Sequence, residues 1–213
     1  MAEESLELGI FELPVVLLPG ERTALHIFEE RYKRMIGDCL DSGEPFGIVF
    51  RDDDGARRIG CAARVEELVE RFDDGRMNIV ISGEQPFRVL DRFDSPDYPS
   101  GSVEPIEAAE ESGDEDAEAA DSARESFAEL AERATGERPD PEGLADSDAY
   151  GIASRIELPA ETKQELLELR SEGKRFRLLA RALTAVSEAL ERSEMVAERA
   201  AGNGHISFSA DAD

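Results

Sequence analysis

Two Asp-Gly turns, Asp52-Asp-Asp-Gly55 and Asp73-Asp-Gly75, constrain this chain more than any other feature. Each lies between runs in which apolar residues take every second position. Phe46, Ile48 and Phe50 precede the first turn, Ile59 to Val69 lies between the two, and Met77, Ile79 and Ile81 follow the second. Asp-Gly supplies the backbone freedom that a tight hairpin needs, and period-two alternation buries one face of each strand. Further strand signals flank this stretch. Leu6 to Leu18 is rich in large apolar residues, with Pro14 marking an edge or a bend. Pro19-Gly20 turns the chain into Leu25-His26-Ile27, and Gly83 to Phe93 and Ser102 to Ile106 complete the set. One helix interrupts, from about Glu29 to Asp41: Tyr32, Met35, Ile36, Cys39 and Leu40 share a face, and Gly43 ends it. Six or seven short strands with Gly-rich turns predict a small barrel or sandwich over residues 1–106.

The composition then changes abruptly. Residues 107–121 hold eight carboxylates and no base. Such a stretch repels itself and buries too little to offset its ordering entropy, which predicts an acidic linker or loop. Residues 122–200 read as a helical bundle. Ser122-x-x-Glu125 is a capping box, Asp140-Pro141 and Pro159 open further helices, and a long last helix runs from about Lys174 to Arg199. In it Phe176, Leu179, Leu183, Val186 and Leu190 form a heptad-like seam, for packing within the bundle or for a weak dimer. Residues 201–213 read as a flexible tail.

Fifty acids against 24 bases give a net charge of −26. That sign repels phosphate backbones and anionic lipid surfaces, so neither nucleic acid nor membrane is expected as a partner. No apolar run reaches the length of a membrane span, and the acidic start, Met1 to Ser5, does not look like a secretory signal. Cys39 and Cys61 read as buried thiols of a reducing cytoplasm, and the two histidines offer no metal-ligand spacing. No cofactor and no metal are expected.

The string Phe11-Glu-Leu-Pro14-Val-Val-Leu-Leu-Pro19-Gly20, followed by Leu25-His26-Ile-Phe28-Glu29-Glu-Arg31-Tyr32, resembles the opening signature of the Lon protease N-terminal (substrate-binding) domain family. The similarity continues through Phe46-Gly47-Ile-Val, Gly60, Gly75-Arg76, Gly83 and Phe87-Arg-Val89, and more loosely through Lys163-Gln-Glu-Leu-Leu-Glu168 and Arg175. Gly83-Glu-Gln-Pro-Phe87 departs from the basic residues that the family usually carries in that turn. The resemblance implies an α+β fold: a PUA-like six- to seven-stranded β pseudo-barrel with one inserted helix, then a C-terminal helical bundle. It also implies a stand-alone member, without the ATPase and peptidase modules of the full proteases.

Most signature residues read as fold. Phe28, Tyr32 and Met35 are expected to pin the helix across the barrel, Arg31 to pair with a nearby carboxylate such as Glu29, and His26 to be packed or hydrogen-bonded. Gly60, Gly75 and Gly83 serve backbone geometry. Catalysis is argued against by absence: there is no Gly-x-x-x-x-Gly-Lys-Ser/Thr loop, and Lys33, Lys163 and Lys174 stand beside no nucleophile motif. The expected function is therefore non-catalytic binding of unfolded or exposed polypeptide by edge-strand pairing and side-chain pockets. Phe11, Phe72 and Phe87 are the expected apolar contacts, and Arg88 a fixer of a carboxylate or carbonyl. The alternative is an adaptor that docks on another protein through its helices.

Overall fold

The computed structural model describes residues 5–109 and 114–202. Both Asp-Gly turns form as hairpins. β3 (Phe46–Asp52) turns into β4 (Gly55–Arg71), and Asp73–Gly75 carries β4 into β5 (Met77–Asp94). Gly55 and Gly75 take φ of 113° and 80°, the left-handed region that a side chain resists. With β1 (Leu6–Leu13), β2 (Arg22–Ile27) and β6 (Pro99–Pro105) they make one six-stranded sheet in the order β2-β5-β4-β3-β1-β6, with a further β5–β6 pairing. β1 and β3 run parallel, from Ile10 opposite Gly47 to Leu13 opposite Phe50, and the other pairs are antiparallel.

The expected pseudo-barrel of short strands is corrected by this arrangement. The structure is a single mixed sheet that starts at β2, a strand with β5 as its one neighbour among the described residues. β4 and β5, at 17 and 18 residues, are far from short. Register shifts along their pairing bend the ribbon, so that β5 serves β2 with Met77–Ser82 and β6 with Phe87–Asp94. Alternation in the sequence shows which face is buried, but not which strand is the neighbour.

α1 (Glu30–Ser42) lays Tyr32, Met35 and Ile36 on the sheet, as its apolar face requires, and closes on left-handed Gly43. The helices follow: α2 (Asp114–Thr135), α3 (Pro141–Ala145), α4 (Ala149–Ala153), α5 (Ala160–Glu168) and α6 (Glu172–Gly202). α2 starts eight residues ahead of the Ser122 capping box, inside the acidic stretch. Asp116 meets Arg177 of α6 at 2.8 Å, and Ala120 and Ala123 are buried. At 31 residues α6 reaches about 46 Å. Its Phe176, Leu179 and Leu183 are buried, and Val186 and Leu190 pack on the same core, so the heptad-like seam is used within the chain. Parts of the acidic stretch (110–113) and of the expected tail (203–213) lie outside the described residues.

The sheet and the helices share one continuous core, from Phe11 to Leu183. α5 makes the joint. Its Lys163 Nζ meets Glu21 at 2.5 Å, and its buried Gln164 donates to the Ile59 carbonyl of β4 at 3.1 Å. Beside it, Arg175 lies over the Tyr150 ring at 4.4 Å and donates to the Leu169 carbonyl, while the Tyr150 hydroxyl donates to the Leu166 carbonyl at 3.1 Å. The Lys163–Glu168 motif and Arg175 thus serve as the seam between two layers.

Candidate functional site

One end of the sheet leaves apolar side chains in solvent beside an unpaired strand edge. The β2 burial pattern alternates, with Thr23, Leu25 and Ile27 turned inward and Arg22, Ala24 and His26 outward. The strand carries no proline or lysine, the residues with which sheet edges are usually blunted. Immediately after it stands Phe28, 61% exposed. The expectation that Phe28 pins α1 is corrected here, and its position explains why. Phe28 precedes the N-cap Glu29, where a hydrophobic staple would need an apolar residue at the fourth helical position. That position is Lys33.

Lys33 is spent elsewhere. Its Nζ meets Glu30 at 2.8 Å and donates to the Asp74 carbonyl at 2.9 Å, tying the tip of the β4–β5 hairpin to α1. This brings Phe72 to the end of β2. His26 lies between two rings, 6.0 Å from Phe28 and 6.1 Å from Phe72, and its Nδ1 contacts Asn78 Oδ1 at 2.7 Å. Arg76 covers Phe72 at 5.1 Å and pairs with Asp74 at 2.7 Å. Val69, 57% exposed, and Leu68 extend the apolar surface along β4. An open strand edge with aromatic rings at its end is the physical requirement for adding an extended segment: main-chain hydrogen bonds along the edge, side-chain contacts at the tip.

Of the contacts expected from sequence, only Phe72 lies at this end. Phe11 is 7% exposed and stacked on Tyr32 with centroids 3.9 Å apart. Phe87 is 2% exposed, its ring filling the space over Gly47 and Gly60. Both are core residues. Arg88 is exposed but pairs with Glu104 at 3.0 Å, and it lines a separate cleft of about 470 Å³ with Leu6, Ile106 and Arg170. Arg31 pairs with Glu29 at 2.9 Å, and His26 is hydrogen-bonded. Gly60 and Gly83 bring backbones too close for a side chain, against the carbonyls of Ile48 and Leu18. Sequence reasoning missed Phe28 and Val69 as surface residues. The missing staple partner was the readable signal for Phe28; Val69 gave none.

The remaining chemistry is quiet. Burial pushes the Cys61 thiol up to about 12 and the Cys39 thiol up to about 11, and neither is disulfide-bonded. Among the described residues no cluster of His, Cys, Asp or Glu is placed to hold a metal ion, and no helix is long and apolar enough to cross a membrane.

Comparison with known proteins bears on the family and the fold. The family profile of the ATP-dependent protease La (LON) substrate-binding domain matches residues 7–185. The fold is similar to the crystal structure of a Lon N-terminal domain protein from Xanthomonas campestris. There the TM-score is 0.62 at 24% identity, over 82% of this chain and 96% of that one. It is also similar to the N-terminal domain of the Lon protease of Mycobacterium avium complex, with a TM-score of 0.64 at 20% identity, over 84% and 98% of the two chains. At these identities the two structures speak for the fold, and the profile match speaks for the family. The chain belongs to the Lon substrate-binding domain family, a non-catalytic module that binds polypeptide.

Proposed function

We propose that this domain captures extended, exposed polypeptide along the free edge of β2, with Phe28 and Phe72 gripping apolar side chains at its end. The observation that carries the reading is the coincidence of an edge strand bonded on one side with a ring that is 61% exposed. A solvent-facing phenylalanine gains from cover, and a bare edge offers main-chain donors and acceptors in register. The net charge of −26 disfavours acidic clients at long range and leaves apolar segments as the better ligands. The free thiols suit a reducing cytoplasm.

The test is fluorescence anisotropy with a labelled, reduced and alkylated model protein. Phe28→Ala should weaken binding roughly ten- to hundredfold, the value of burying one large apolar side chain. Unchanged affinity in a folded variant contradicts the reading. A second reading, a scaffold that docks on a folded partner or a second copy, is favoured by one feature: Met195 and Val196 stand exposed near the end of α6. Saturable, stoichiometric binding to one folded protein, lost in Val196→Asp, would support it instead.

A further inference from the structure

A second cleft, of about 470 Å³, opens where β1, α1, β3, β5 and β6 converge. Its walls carry Arg31, Arg51 and Arg92 against a single carboxylate, Glu12. In a chain with 50 acids and 24 bases, three guanidinium groups against two carboxylates, Glu12 in the cleft and Glu29 beside Arg31, form a small local reversal of sign. Glu12 does not exhaust them. Arg51 pairs with it through Nη1, and Arg92 Nε approaches it only to 3.7 Å. Arg92 Nη2 goes to the Arg57 carbonyl, and Arg31 spends Nε and Nη2 on Glu29. Each guanidinium carries five N–H donors, so most remain without a protein acceptor among the described residues.

The floor adds a second, independent observation. Tyr32 is 5% exposed and lines the cleft, yet its hydroxyl makes no hydrogen bond among the described residues. The hydroxyl opens into the cleft, where it can donate to a ligand. Burial raises its pKa, so it remains a donor. The Tyr32 ring, held by its stack on Phe11 and covered by Arg31 at 4.8 Å, and the partly exposed Phe93 supply apolar contacts beside the guanidinium groups.

We infer that this cleft binds a carboxylate of the polypeptide ligand, held by the forked donors of Arg31, Arg51 and Arg92 and by the Tyr32 hydroxyl. The inference rests on the polypeptide-binding reading above. Planar guanidinium groups match a carboxylate in two-point contacts, and the Glu12 carboxylate already seated there shows that the size and shape suit one. The source is either the chain-terminal carboxyl or an Asp or Glu side chain. A polyanion is disfavoured because the rest of the molecule repels it.

Titration calorimetry on the full chain separates these sources, using one apolar peptide in three forms. These are a free C-terminal acid, its C-terminal amide, and the amide with one internal Glu. At least one carboxylate form should bind about tenfold tighter than the neutral amide, as charge-assisted hydrogen bonds require. Arg31→Ala and Arg92→Gln should erase that advantage while leaving the amide's affinity as it was. Glu12→Gln should act in the opposite direction, tightening the acidic peptide severalfold by freeing Arg51 and Arg92, an outcome that loss of folding cannot imitate. Equal binding of all three peptides overturns the carboxylate site and leaves the β2 reading standing. Failure of every peptide to bind overturns both. Arginine-dependent binding of a short RNA in place of peptide would also overturn the carboxylate assignment.

Discussion

The α5 joint and the β2 edge are built from the same kinds of residue and use them in opposite ways. At the joint, Lys163, Gln164, Tyr150 and Arg175 spend their donors on protein partners, and they do so under cover. At the edge, Phe28 faces water, and among the described residues one side of β2 has no strand beside it. Donors paired in the interior fix one packing, although Gln164 Oε1 is buried there without a partner among the described residues, whereas exposed surface is available to a ligand. The difference separates two uses of family motifs: Lys163–Glu168 is a folding device, whereas the opening signature leaves Phe28 on the surface, where we propose that ligand binds.

The comparison breaks if damage at the joint leaves stability intact, or if damage at the edge removes it. The largest effect belongs to Leu167→Ala in α5, where the side chain is fully buried. Urea denaturation should show a loss of about 2–5 kcal/mol. Lys163→Ala strands the largely buried Glu21, and the same measurement should give about 1–3 kcal/mol.

Alkaline pH probes the joint in another way. Burial pushes the Tyr150 phenol up to about 12, above its ordinary value near 10. The folded state therefore favours the neutral form. The stabilisation is whole below pH 10 and is lost as pH rises through 12. Urea midpoints should fall between pH 9 and 12, and Tyr150→Phe should fall less steeply over that window. A steeper fall in the variant would contradict the assignment. The smallest effect on stability belongs to the edge: Phe28→Asp should leave the unfolding free energy within about 0.5 kcal/mol of the parent, while the affinity for unfolded protein drops.

Much of this was legible in the sequence, for local reasons. The two Asp-Gly hairpins, the buried face of α1 with its Gly43 stop, and the Asp140-Pro141 start of α3 each follow from a few neighbouring residues. What could not be read depends on distant partners. The parallel β1–β3 pair and the shared use of β5 by β2 and β6 leave no trace in alternation, so the short-stranded pseudo-barrel was the wrong architecture. α2 begins at Asp114 in a stretch whose composition argues against order; Arg177, 61 residues beyond its partner Asp116, stabilises it there. The site suffered most. Nothing in the sequence marks Phe11 and Phe87 as covered and Val69 as exposed, and only packing decides between them; Phe28 alone carried a local sign, the Lys33 at its staple position.

Hydrogen–deuterium exchange with and without a saturating unfolded polypeptide tests the central claim most directly. Binding should slow exchange in β2, Arg22–Ile27, and at the β4–β5 tip around Phe72, and should leave α5, Ala160–Glu168, unchanged. If β2 exchanges at the same rate with ligand bound while protection appears on the helices, polypeptide is not held at the strand edge.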